Sequence, residues 1–266
     1  MDISEFVMNE NEKPLDRLVS DGGFCSIFRK IAVVGDSLSS GEFETFNEDG
    51  TKCYTDLFEH SWGQYLARMC GSKCYNFSRG GMTAMEFCQS WGEQNNAFDE
   101  SKKVDAYIFA LALNDHFGRG METGDLTDIN PDGSSNHPEN YAGYYGELVL
   151  RYKKISPKAK LFFLTVPKDY GYGERMNELI EVNAFIRSMA EYFGGYVIDL
   201  WNYAPEYDEK FHENFFMIGH LNPQGYLLTA KMVASYIDYI VRKNPKDFEM
   251  VGMDGRETEN WHFEAR

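Results

Sequence analysis

Ser37 lies in the run Ile31-Ala32-Val33-Val34-Gly35-Asp36-Ser37-Leu38-Ser39-Ser40-Gly41. Its apolar start, rich in β-branched residues, predicts a short buried strand, and Gly35 permits a sharp turn behind it. A hydroxyl just past a buried strand stands at the rim of a sheet, where α/β proteins build their sites. Such a serine is a weak nucleophile unless a base and an anion-stabilising pocket stand nearby. The chain must therefore also supply a histidine and hydrogen-bond donors. Taken alone, the run reads better as a polar turn in which Ser37 caps a helix.

Three further polar clusters follow predicted strands or precede the last predicted helix: Asn76-Phe77-Ser78-Arg79-Gly80-Gly81-Met82-Thr83, Leu113-Asn114-Asp115, and Gly219-His220-Leu221-Asn222-Pro223-Gln224-Gly225-Tyr226. In isolation each has a bland reading. Gly80-Gly81 is a helix-entry turn, Asn114 a helix cap, and His220 a loop histidine satisfied by backbone. In order, over about residues 30 to 242, the four clusters resemble the blocks of the GDSL, or SGNH, hydrolase family, named for Ser, Gly, Asn and His.

That resemblance implies Ser37 as nucleophile and His220 as general base. It implies an oxyanion hole made of the Ser37 amide, the Gly81 amide and the Asn114 side chain. Acyl transfer through a tetrahedral intermediate independently wants this assortment: a hydroxyl, an imidazole and donors aimed at the developing oxyanion. Gly81 suits close backbone approach, and Asn114 is an uncharged donor that does not compete for the Ser37 proton. The activity implied is that of an esterase, lipase, thioesterase or carbohydrate deacetylase. No metal is needed for such a mechanism, and no phosphate-binding glycine motif points to a nucleotide cofactor.

The sequence departs from the family pattern at three places. Met217 stands where an aspartate usually precedes the histidine, Ala112 replaces a glycine before Asn114, and Leu221 replaces a proline after His220. The third member of the triad is thereby open. The preferred expectation is that the Met217 backbone carbonyl orients His220; the alternative is a carboxylate from Glu206, Asp208, Glu209 or Glu213. Asp199, closing a strand, reads as structural. Of the other histidines, His60 falls in a predicted helix and His116 follows Asn114 near the pocket. His137, His212 and His262 read as surface residues.

The elements that must position these groups alternate. Strands are predicted at Ile31–Val34, Cys74–Phe77, Ala106–Leu113, Lys160–Val166 and Tyr196–Leu200. Helices are predicted from Leu57 to Met69, from Met82, from Tyr141 to Ile155, from Glu174 to Phe193 and from Gln224 to Arg242. Ser40 to Thr55 and Asp115 to Asn140 read as loops. Strand–helix alternation with near-continuous apolar strands calls for a three-layer α/β/α domain with a parallel sheet, which the resemblance implies is the flavodoxin-like, five-stranded SGNH hydrolase fold. Residues 1–266 read as one such domain, with about 1–26 as an N-terminal extension packed on it.

Composition narrows the partners. A formal net charge of −16 repels phosphate backbones and anionic membranes, so nucleic acid is an unsuitable ligand. Cys25, Cys53, Cys70, Cys74 and Cys88 contain no C-x-x-C pair, which fits reduced thiols rather than a zinc site or a disulfide framework. No basic-then-apolar leader and no membrane-length apolar run is present, so a cytoplasmic, soluble protein is expected. The expectation is a serine esterase acting on short-chain acyl esters of a small molecule or glycan, carbohydrate O-acetyl esters among them, without cofactor. The rivals are a non-catalytic ligand-binding relative and a thioesterase or lysophospholipase-type acyl hydrolase.

Overall fold

A computed structural model of the chain describes residue 3 and residues 6–253. Its central sheet holds five parallel strands: β1 (Lys30–Gly35), β4 (Lys73–Ser78), β5 (Ala106–Ala110), β6 (Lys160–Leu164) and β7 (Tyr196–Ile198), in the order β4-β1-β5-β6-β7. Val33 pairs with Asn76 on one side and Ile108 on the other, so β1 lies between β4 and β5. The strand order reverses here, and the crevice at the carboxyl ends of β1 and β5 is where a doubly wound sheet places its ligand.

Alternate residues of each strand face opposite layers. Ala32, Val34, Tyr107, Phe109 and Phe163 pack with helices 141–155 and 178–193. Ile31, Val33, Ala106, Ile108 and Phe162 pack with helices 62–70 and 223–243. Both faces are covered, which explains why the strand sequences run apolar almost without interruption. The fold is the α/β class expected from the sequence. Helix 141–155 has the expected bounds, begins at the Asn140 cap, and stops before Pro157.

The stretch read as a loop, Ser40 to Thr55, is largely a β-hairpin. Strand β2 (Glu42–Phe46) pairs antiparallel with β3 (Lys52–Asp56), and the turn between them contains Asp49-Gly50. The helix expected from Leu57 starts later. A single turn at Phe58–His60 comes first, and Ser61 then caps helix 62–70 by accepting the Gln64 amide at 3.3 Å. The segment before His220 adds helix Glu209–Phe215 and a tight pair of two-residue strands, β8 (Phe216–Met217) and β9 (His220–Leu221).

The N-terminal segment lies on helix 223–243. Arg242 donates to Glu12 and, at 2.8 Å, to Asp238, while the Phe24 amide donates to Asp238 at 2.8 Å. Val19 donates to the Ser235 hydroxyl at 2.9 Å. Among the described residues no helix is long and apolar enough to cross a membrane.

Candidate active site

Ser37 is the first residue of a one-turn helix, Ser37–Ser40, that follows β1. Asp36 caps it: its carboxylate accepts the Leu38 amide at 3.1 Å, and its carbonyl accepts the Ser39 and Ser40 amides at 3.0 and 2.9 Å. As the first helical residue, Ser37 has an N–H with no acceptor inside the helix, which leaves it available to an anion. Gly35 is required by close packing, because a Cβ there would lie 2.4 Å from the Ser39 hydroxyl. Gly41 ends the turn at φ 84°, and the chain goes directly into the β2–β3 hairpin.

Gly81 follows β4 with φ 69°, a conformation that favours glycine. The loop around it is fixed from both sides. Arg79 donates to the Gly80 carbonyl at 3.1 Å and to Glu86 at 2.8 Å, and Asn114 Nδ2 donates to the Met82 carbonyl at 3.3 Å. Asn114 comes from the turn just past β5. The next residue, Asp115, has a fully buried carboxyl that accepts the Ala84 amide at 2.9 Å. Burial, reinforced by the nearby charge of Asp36, pushes Asp115 up to about 8. Burial likewise pushes Asp36 up to about 6, against the pull of the Leu38 amide and of His220.

His220 sits in β9, held between two carboxylates of β2. Its Nδ1 lies 3.2 Å from Glu44 Oε2, and its Nε2 lies 3.0 Å from Glu42 Oε1. Glu44 is 3% exposed at its side chain, accepts the Gly219 amide at 2.9 Å, and is paired with Lys52 across the hairpin. Burial works against a charged imidazole here. The hydrogen bonds and charges of Glu42 and Glu44 outweigh it and raise His220 above its ordinary value. For Glu44, burial is likewise outweighed by the bonds from Lys52, His220 and Gly219, so its carboxyl is lowered.

The Met217 carbonyl, expected to orient His220, does not hold the ring. Met217 pairs through its main chain with His220 across the Ile218-Gly219 turn, while the ring nitrogen reaches Glu44 instead. Nor do the four alternative carboxylates reach it. Glu206, Asp208, Glu209 and Glu213 are solvent-exposed, and Asp208 caps helix 209–215 through the Phe211 amide. Asp199, read as structural, is gripped by two Arg187 nitrogens, Nε and Nη2, each at 2.9 Å.

One cavity of 340 Å³ brings Ser37 and His220 together with Leu111, Leu113, Leu164, Val166 and Tyr172. Its wall also contains His212, which sequence reasoning assigned to the surface, together with Asp169. His212 Nε2 lies 2.8 Å from Asp169, with its ring stacked 3.8 Å from Phe216. His137 is likewise interior, with its side chain 1% exposed and bonded to Glu147 at 3.0 Å. His60 bonds the Tyr65 hydroxyl at 3.0 Å, and His116 bonds the Met121 carbonyl at 3.1 Å. His262 lies outside the described residues. The signal that could have located the hairpin, and with it Glu44, is Asp49-Gly50 between two short runs containing Phe43, Thr45, Tyr54 and Thr55.

A parallel doubly wound sheet with a serine past its first strand, and with glycine, asparagine and histidine clusters at its rim, defines an SGNH-type α/β hydrolase. Residues 33–228 match the GDSL-like lipase/acylhydrolase family, and the chain belongs to it as an ester-hydrolysing enzyme. Solved structures similar to it share the fold at low identity. A family two carbohydrate esterase from Clostridium thermocellum, in complex with cellohexaose, is 14% identical with a TM-score of 0.57. That match covers 89% of this chain and 66% of the other. A possible lipase from Chitinophaga pinensis is 16% identical with a TM-score of 0.52, covering 81% and 98%. A psychrotrophic esterase from Pseudoalteromonas sp., inhibited by monoethylphosphonate, is 15% identical with a TM-score of 0.51, covering 80% and 98%. No protein among the curated ones matches the chain.

Proposed function

We propose that the protein is a serine esterase that cleaves short-chain acyl esters of small molecules or glycans through a Ser37–His220 acyl-enzyme mechanism. The observation that carries this reading is that Ser37 and His220 line one cavity while a buried carboxylate, Glu44, engages the far nitrogen of the imidazole. Ser37 Oγ attacks the ester carbonyl carbon, and its proton passes to His220 Nε2. The Ser37 and Gly81 amides and Asn114 Nδ2 receive the oxyanion. The alcohol leaves with the proton returned from Nε2. Water then attacks the acyl-enzyme, with His220 again as base, and the acid is released. Glu44 keeps a proton on Nδ1 and stabilises the imidazolium that forms in each half.

The cavity volume supports a short acyl group, since 340 Å³ lies at the small end of ligand pockets. Its mostly apolar walls suit a hydrocarbon chain. The test is labelling with a fluorophosphonate followed by peptide mapping. The adduct is expected on Ser37, and it is expected to vanish in His220→Ala. A protein that stays unlabelled while folded would make this a binding relative rather than an enzyme of this mechanism.

A further inference from the structure

Glu42 has no counterpart in the mechanism above, yet it holds the nitrogen on which that mechanism turns. Its Oε1 is 3.0 Å from His220 Nε2, with the Glu42 side chain only 13% exposed. Its other oxygen presses on the glycine loop, because a Cβ built on Gly80 would fall 1.8 Å from Glu42 Oε2. Its carbonyl is fixed by the Tyr226 hydroxyl at 2.6 Å, and the same hydroxyl reaches the Ser37 carbonyl at 3.4 Å. Glu42 is therefore anchored in the site through its main chain, with its carboxylate set between His220 and the glycine loop.

The alcohol oxygen of the ester takes its proton from His220 Nε2 as it leaves. Whatever lies next to Nε2 consequently lies next to the alcohol half of the substrate. The cavity that Ser37 and His220 share is walled further in by Leu111, Leu113, Leu164 and Val166, and neither Glu42 nor Tyr54 lines it. On the alcohol side stand an acceptor-only carboxylate and the half-exposed ring of Tyr54, whose centroid is 5.9 Å from that of His220. A mostly covered carboxylate that loses its partner pays a desolvation penalty, so displacing it from Nε2 requires a substrate that hydrogen-bonds to it.

Resting on the esterase reading above, we propose that Glu42 is a specificity residue. In the free enzyme it occupies His220 Nε2, and a hydroxyl on the alcohol half of the substrate, as in a polyol or sugar ester, draws it away. The exchange frees Nε2 to face Ser37, and the ring's second proton leaves to solvent. An alcohol without donors leaves Glu42 on Nε2, where it keeps that nitrogen from serving Ser37 as a base. The groups facing the ring are Glu42 and Glu44 of β2, Tyr54 of β3 and Asp36 before the serine, with Lys52 behind Glu44.

Glycerol 1-acetate and n-propyl acetate form a matched test pair, with one acyl group and one carbon skeleton that differ by two hydroxyls. They form the same acyl-enzyme, so their kcat/KM ratio reads the alcohol side alone. The wild-type protein is expected to favour glycerol 1-acetate by about tenfold or more, in line with hydrogen bonds to a charged group. E42Q and E42A are both expected to bring the ratio near one. They are also expected to move the acid limb of the p-nitrophenyl acetate profile to lower pH, because His220 loses one of its anions. A merely structural Glu42 would lower activity towards all three esters together and leave the ester ratio unchanged, and that result overturns the proposal. An active wild type with the same ester ratio as E42A overturns it too. A wild type inert towards all three esters overturns the esterase reading and takes this inference with it.

Discussion

Glu44 Oε2 lies 3.2 Å from His220 Nδ1 across 176 residues of sequence, and the same oxygen accepts the Gly219 amide at 2.9 Å. One buried carboxylate thus fixes both the imidazole and the backbone turn that presents it. The family's usual acid precedes the histidine by three positions, where this chain has Met217. Here the carboxylate at Nδ1 comes instead from the hairpin that follows the serine turn.

Glu44→Gln is therefore expected to lower kcat on p-nitrophenyl acetate by about 10³- to 10⁴-fold, the scale seen when a triad carboxylate is replaced by its amide. The amide can still accept the Gly219 N–H, so the fold should hold, which circular dichroism checks. Glu206→Gln, Asp208→Asn, Glu209→Gln and Glu213→Gln should each stay within about threefold of wild type. Near-normal kcat in Glu44→Gln would return the orienting role to a backbone carbonyl.

Much of the fold was readable because its signals are local. The apolar run Ile31–Val34 and the capped, Pro-limited helix 141–155 state their own structure, and Ser37, Asn114 and His220 stand directly after or before such elements. The hairpin was missed for a physical reason. Along β2 only Phe43 and Glu44 are buried, so no apolar alternation marks the strand. The segment's acids made it look like a solvated loop. Glu44 belongs inside only because His220, Lys52 and Gly219 meet it there, and none of those contacts is visible along the chain. His212 misled in the same way: a polar seven-residue helix gave no hint that its ring stacks on Phe216 at a cavity wall.

The pH dependence follows from the two carboxylates around His220. General-base action needs the neutral imidazole, and the raised value of His220 delays its appearance as pH increases. For p-nitrophenyl acetate, kcat/KM should be low in acid and rise through a limb placed above the ordinary histidine value of about 6.5. Glu44→Gln should move that limb down while lowering its plateau. A wild-type limb at or below the ordinary value would mean that burial, not the glutamates, governs the ring.

Asn114 is expected to act on the transition state rather than on binding. Its Nδ2 is tethered to the Met82 carbonyl at 3.3 Å, beside the Gly81 turn, and donates to an uncharged acceptor at rest. Asn114→Ala should cost about 10²- to 10³-fold in kcat with little change in KM, as for removal of one oxyanion donor. An equal fall in affinity, read from KM under slow chemistry, would assign the side chain to substrate binding instead.

Asp115 offers a test of the supporting shell through stability. Its carboxyl is pushed up to about 8 by burial, while an unfolded aspartate titrates near 4. The folded protein therefore keeps a proton that the unfolded chain gives up. Its contribution is fully present below about pH 4 and is lost as pH rises towards about 8, at most on the order of 5 kcal/mol. Asp115→Asn imitates the protonated carboxyl, and its oxygen can still accept the Ala84 amide. Thermal unfolding of the two proteins should give similar Tm values near pH 5, with the variant gaining steadily as pH rises to 8.5. A Tm difference that stays constant with pH would show that Asp115 is ionised in the folded protein and that its charge is balanced within the core.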